Sequence, residues 1–488
     1  MKIEDFLEKK EIQHLTILKK IDALGGTVSH IELRQHLNLN KPTLDRALDE
    51  ITFFLREFRD NYCLTVNEAL IVIERQPNFS IEAIYSVYLK QSLKYQILDY
   101  AFKHREFTVF NIIHDLMISE STLFRKTKEI NYLLKEFKIQ LKNGNILGEE
   151  LQIRYFYFLM YQAATPYHQL SEKVLTEHNM RLIQSLEKTL TMKLPSYSYT
   201  RIGLWLMISK KRIKYTKKVY RKVRKKMFLY ESDWLYKKVR QFVLLYTSRY
   251  SIEVVEEESM LHFIFVASMS IFHYQDFTSY DLLRGRRTPN AMMDTMLRER
   301  ILLEYLPQKP TIKVEQQITY YLSQANSLLY FFEGAIITSE QWDFREKTIN
   351  LNQKITIELV EELLAKALEA FSKTPNSSDD LHYQLKHDYL NILAMIDFKI
   401  AKELRIAIEL DMIESHAEIL TQLIKLDLAS LIGVSVETFS TKKNYDLVIT
   451  NTLKYHRLED AKQIVVISNS YSKYDRLFLK QKINDLRQ

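Results

Sequence analysis

The chain has 488 residues, with 69 Lys+Arg against 61 Asp+Glu and a formal net charge of +8. Its 46% hydrophobic and 27% charged residues are those of a folded protein with real cores, which excludes wholesale disorder, and the length suggests roughly three or four domains. Only 8 glycines and 8 prolines are present, so no G-x-G-x-x-G or Walker-type phosphate loop can be written, and the composition points to a mostly helical chain rather than a nucleotide enzyme.

The single cysteine, Cys63, supports neither a disulfide framework nor a Cys-rich zinc site and fits a reducing cytosol. Acids at Glu4 and Asp5 stand where an export signal needs an apolar core. The longest uncharged stretches, Tyr155–Ser171, Ser259–Gln275 and Gln316–Phe332, contain polar residues and fall short of the roughly 20 apolar residues of a bilayer span. The expectation is a soluble, cytoplasmic protein with no membrane partner, no metal and no cofactor.

The first elements read as three helices and a hairpin. Ile12, Leu15, Leu18, Ile21 and Leu24 form a helical stripe ended by Gly25-Gly26. Ser29–Leu37 is a short helix with Ser29 as N-cap, and Pro42 sits in the first turn of a third helix that runs to about Phe58. Tyr62–Val66 and Leu70–Ile73 are β-prone runs around a turn. This order is that of a winged helix-turn-helix.

An offset of 79 residues then superimposes a second copy: Leu37 falls on Leu116, Thr43 on Thr122, Leu44 on Leu123, Arg46 on Arg125, Ile51 on Ile130 and Phe58 on Phe137. Its expected helices are Ile81–Lys103, Val109–Met117 and about Ser119–Glu136, and its wing turns at Asn143-Gly144-Asn145. A recognition helix sets its N-terminal side chains against base edges, while nearby Lys, Arg, Ser and Thr hold phosphates. The candidates are Lys41, Thr43 and Arg46 in the first copy, and Ser121, Thr122, Arg125, Lys126 and Lys128 in the second. The partner expected is double-stranded DNA, with the more basic second copy contributing more. The alternative is a protein-interaction module, which the balanced charge of the first 155 residues favours.

The surplus charge lies further on. Lys210 to Lys226 contains eleven Lys/Arg and no acid. Lys210, Lys211, Arg212, Lys217, Lys218, Arg221 and Arg224 are candidates for polyanion contact, against the plainer reading of a solvated helix face. Stretches of about 166–285 and 288–396 have helical periodicity throughout and read as two bundles, with Arg284-Gly285-Arg286-Arg287 as a linker and a polar loop around Pro375. After about Glu403 the pattern alternates: strands at Leu404–Leu410, Val434–Phe439, Asp446–Ile449 and Gln463–Ile467, and helices at Ser415–Leu426 and Ser472–Leu486, which implies a small parallel α/β sheet.

This order, with Ser-Glu-Ser-Thr-Leu-Phe-Arg-Lys at 119–126 and the segment from Gly148 to Tyr157 after the second wing, resembles the Mga/AtxA family of transcriptional regulators of Gram-positive bacteria. The resemblance implies two N-terminal winged helices (1–76 and 77–162), two helical domains similar to those regulated by the sugar phosphotransferase system (163–287 and 288–400), and an enzyme IIB-like α/β block (401–488). It implies a non-enzymatic regulator that works as a homodimer or higher oligomer. The Leu381, Leu385, His387 spacing looks like a histidine motif of such domains, so His387 is a candidate for phosphorylation by the system's phosphocarrier protein. In the first bundle Trp205 occupies the expected histidine position, leaving His262 and His273 as substitutes. The IIB cysteine is missing from Asp411–Ser415, which makes that block a non-catalytic surface for dimerisation. An RNA-binding antiterminator and a phosphotransfer component remain as alternatives.

Overall fold

The computed structural model of the chain describes residues 1–104, 107–215, 217–248, 255–306, 309–338, 354–373, 380–400, 404–429, 431, 433–452 and 461–487. It divides into two compact units, one of residues 1–300 and 316–390, the other of 301–315 and 391–488.

The larger unit opens with a head built of α1 (Lys9–Ala23), β1 (Thr27–Ser29), α2 (His30–Leu37), α3 (Lys41–Phe54), β2 (Tyr62–Val66) and β3 (Leu70–Arg75). The expected cap at Ser29 is present, and Asn40 supplies a further one. Ser29 accepts the amide of Glu32, and Asn40, ahead of Pro42, accepts that of Thr43 at 2.9 Å. The hairpin gains a third strand that the sequence did not announce: β1 pairs antiparallel with β3, Val28 opposite Ile71.

The second head contains α4 (Glu82–Gln91), α5 (Leu93–Lys103), α6 (Val109–Asp115), α7 (Glu120–Leu134), and the strands β4 (Gln140–Lys142) and β5 (Asn145–Leu147). The helix expected over 81–103 is broken at Ser92. That residue is extended (ψ 136°) and its hydroxyl accepts the amide of Tyr95, so one helix ends and another is capped at a single residue. The wing turn is as expected, with Asn143 at φ 50° and Gly144 at φ 72°. A Cβ on Gly144 would lie 2.2 Å from the Phe107 carbonyl oxygen, so only glycine fits there.

Further helices of this unit include α8 (Glu150–Ala164), α9 (Tyr167–Val174), α10 (Glu177–Leu190), α11 (Ser196–Arg212), α12 (Arg221–Met227), α13 (Trp234–Ser248), α14 (Glu256–Ser268) and α15 (Tyr274–Leu283). They pack around buried aromatic rings, among them Phe158, Trp205 and Phe265. The chain continues through α16 (Pro289–Glu304), α17 (Ile312–Phe331), α18 (Lys354–Ala370) and α19 (Asp380–Ile400). The segment expected as a linker begins inside the core: the Arg284 guanidinium sits on Asp294 at 2.7 Å and Asp281 at 2.6 Å. The loop around Pro375 lies outside the described residues.

The smaller unit holds the parallel sheet read from the continuous apolar runs. Its strands are β6 (Leu404–Glu409), β7 (Val434–Thr438), β8 (Tyr445–Thr450) and β9 (Ala461–Val466), in the order β7-β6-β8-β9. Ile406, Ile408, Leu447 and Ile449 pack with Leu420 and Ile424 of α20 (Glu414–Leu428) and with Leu479 and Ile483 of α21 (Lys473–Arg487). Among the described residues no helix is long and apolar enough to cross a membrane.

Candidate nucleic-acid interface

Helix α7 starts where Ser119 accepts the amide of Thr122 at 3.2 Å. It buries Leu123, Ile130 and Leu134 on one side. The 3.6-residue period then leaves Ser121, Arg125, Lys128 and Tyr132 as an exposed row on another face, with Phe124 beside it. Neither Arg125 nor Lys128 makes an ion pair among the described residues. Thr122 is half-buried, its hydroxyl 2.8 Å from that of Ser119, so it closes the cap.

Lys126 does not belong to that row. It is buried, with its ammonium on Glu8 at 2.5 Å and on Glu129 at 2.9 Å. A charge so enclosed and neutralised is not available to a phosphate, which corrects the sequence expectation. Its work is to tie α7 to the start of the first head. Other ties do the same. Lys94 donates to the carbonyl of Asp5 at 2.6 Å, His14 Nδ1 lies 3.1 Å from the Tyr88 hydroxyl, and the Phe54 and Tyr88 rings stack at 3.9 Å. The two heads are thereby packed together instead of hanging on a linker.

Helix α3 presents a weaker face. Lys41 is exposed, Thr43 is half-buried, and Arg46 is exposed with its Nε 3.2 Å from Glu50. Glu50 also meets Lys10 and His14, each at 3.1 Å; Lys10 foremost, with Arg46 and His14, holds its carboxyl below the usual value. Asp49 and Phe53 complete the outward side. The arginine of the first copy is therefore held in a surface ion pair, whereas that of the second makes no ion pair among the described residues and only adds to the field at Glu129.

The basic stretch divides in two. Lys210, Lys211, Lys217 and Arg221 are exposed, as a polyanion surface requires. Arg212 and Lys218 are not: Arg212 is buried on Glu150 at 2.6 Å, and Lys218 lies 3.1 Å from Glu258. Arg224 is paired with Glu257. Lys226 donates to the Tyr330 carbonyl, and burial pulls its pKa down to about 8. The acids that receive these cations, Glu150, Glu257 and Glu258, were not singled out in the sequence because they stand far from the run they neutralise.

Of the histidines, His387 is half-buried on α19. His262 is buried, its Nδ1 2.8 Å from the Glu258 carbonyl. His273 is exposed and caps α15. Trp205 is a core residue stacked on Phe265 at 4.5 Å. The loop after β6 is stapled by Asn451, which accepts from the Asp411 amide at 2.7 Å and donates to its carbonyl. Cys63 lies in β2.

Both heads consist of helices followed by a hairpin, and the second has a match among helix-turn-helix domains. Residues 77–161 match the family model of the Mga helix-turn-helix domain. Over 214 residues the chain is 26% identical to a protein of Streptococcus pneumoniae serotype 4 named "Putative trans-acting regulator"; the match spans 40% of this chain and 42% of that relative. The likeness to the Mga family is thus one of the second head, and the match to the regulator covers less than half of either chain.

Proposed function

We propose that the chain is a transcription regulator that binds duplex DNA, with α7 in a major groove and the β4–β5 hairpin beside it. The observation that carries this reading is the exposed row Ser121, Arg125, Lys128 and Tyr132 on a helix capped at Ser119, with both cations unpaired among the described residues. The Mga domain match over the same head supports it. Two free cations are a modest charge for phosphate binding, so part of the recognition falls to DNA curvature and flexibility. A salt series of gel shifts on duplex DNA tests the reading. Each cation that neutralises a phosphate steepens the slope of log affinity against log salt by about 0.9. Arg125→Ala and Lys128→Ala are each expected to flatten the slope by about that amount, whereas Lys126→Ala should leave it unchanged. Unaltered slopes for the first two, or tighter binding to hairpin RNA than to duplex DNA, would overturn the reading.

The finer part of the proposal concerns control. The helices of 163–287 and 288–400 serve as regulation domains, and the 401–488 block helps copies of the chain assemble. Phosphate on His387 would add about two negative charges to α19. Because the ring is half-buried, transfer requires that helix to expose it. Labelling by the phosphotransferase-system phosphocarrier is expected in the wild type and lost in His387→Ala; equal labelling of the two would remove this part.

A further inference from the structure

The buried arginines of the larger unit share one habit. Arg154 holds Glu150 and Glu258, Arg212 holds Glu150, and Arg284 holds Asp281 and Asp294. Arg201 on α11, half-buried with only its Nε fully enclosed, breaks it. Among the described residues its guanidinium has no hydrogen bond and no carboxylate in reach. Its neighbour is the Phe158 ring, 5.5 Å from the guanidinium carbon. Burial pulls its pKa below the usual arginine value, and the groups that act on its charge are the hydroxyls of Tyr320, Tyr197 and Tyr155. Removing a cation from water without a counter-charge is costly.

Arg201 also lines a cavity of about 250 Å³. The walls come from the start of the first head, from α4 of the second, and from α8, α9 and α11. They are mainly apolar, with Leu7, Leu15, Tyr85, Leu89, Phe158 and Leu170 among them. Three other charged residues reach this wall. Lys19 and Glu4 neutralise one another at 3.1 Å, and Glu82 is exposed to solvent. The unmatched cation in the cavity is therefore a single guanidinium above an apolar floor, with the Glu82 carboxylate left on the solvent side. Small-molecule sites have this composition, an apolar lining with a few polar groups that fix orientation.

We propose that this cavity binds a small organic acid, whose carboxylate takes the two-pronged contact with Arg201 and whose apolar body lies among the leucine, tyrosine and phenylalanine side chains. One guanidinium balances one negative charge, which suits a carboxylate better than a doubly charged phosphate ester. The ligand would touch both heads and the helices behind them, so its presence would stiffen their mutual packing.

Calorimetric titration of the full chain with benzoate, phenylacetate and octanoate, each beside its neutral amide, tests the site without DNA, so its outcome is independent of the DNA-binding reading. At least one acid is expected to bind, with its amide tenfold or more weaker. A charge-assisted pair of hydrogen bonds predicts a loss of roughly 10- to 100-fold in Arg201→Met. Arg201→Lys, which keeps the charge but not the fork, should lose less. Absence of binding by all three acids, equal binding of acid and amide, or undiminished binding by Arg201→Met would overturn the proposal. So would a large fall in the melting temperature of unliganded Arg201→Met, because that would mark the charge as structural.

Discussion

Glu258→Gln is expected to lower the unfolding free energy of the larger unit by about 3–5 kcal/mol at pH 7, the usual cost of breaking a buried ion pair from one side. The Glu258 carboxylate accepts both terminal nitrogens of Arg154 at 2.8 Å, Lys218 at 3.1 Å and the Tyr220 hydroxyl at 2.9 Å. Arg154 reaches on to Glu150, which also holds Arg212. Three cations thus share two carboxylates in a place where Arg154 and Glu150 have no exposed side-chain surface. Neutralising Glu258 leaves three cations on one acid. The opposite change, Arg154→Met, leaves Arg212 on Glu150 and Lys218 on Glu258, so its cost should be the smaller of the two. Burial alone would raise the Glu258 pKa, but Arg154 outweighs it and holds the carboxyl well below its ordinary value of 4.5. The stability it contributes is therefore present above about pH 4.5 and is lost as the pH falls below that, a loss that Glu258→Gln should not show. Urea unfolding followed by Trp205 fluorescence, from a ring stacked on Phe265 of the same α14, would check both points. Matching midpoints for wild type and Glu258→Gln would contradict the argument.

That network also shows what the sequence conceals. Features set by a few adjacent residues were legible: the cap at Ser29, the start of a helix near Ser119, the Asn143-Gly144 turn, and the parallel strands written as apolar runs such as Gln463–Ile467. Each is a local rule with one common solution. The break at Ser92 was not legible, because apolar residues continue through it and serine is tolerated inside a helix. Lys126 could not be told from Lys128, since its partner Glu8 lies 118 residues away. For the same reason the run from Lys210 to Lys226 looked like a continuous cationic surface, although Arg212 and Lys218 are consumed by acids 62 and 40 residues off. Arg201 carried no signal at all, because what sets it apart is a missing partner. Charge counts along the chain locate cations; only packing decides which of them remain free to meet a ligand.

Asp388 gives the second large effect, with the opposite sign of pH dependence. It follows His387 on α19, and among the described residues nothing donates to its carboxyl. Burial raises its pKa from 3.8 to about 7. At about 1.36 kcal/mol per unit, the full shift corresponds to roughly 4 kcal/mol. The residue is half-buried rather than sealed, so about 2–4 kcal/mol is the expected range. Because the folded carboxyl holds its proton more tightly than the unfolded one, its cost is absent below about pH 4, grows between pH 4 and 7, and is constant above. Asp388→Asn should therefore match the wild type near pH 4 and exceed it by that amount at pH 8. Unfolding both proteins at pH 4, 6 and 8 would show it, and parallel curves at all three would exclude it. If His387 accepts phosphate, the new negative charge stands beside this carboxyl and favours its protonated form. The stability gained by Asp388→Asn at pH 8 should then be larger in the phosphorylated protein than in the unmodified one.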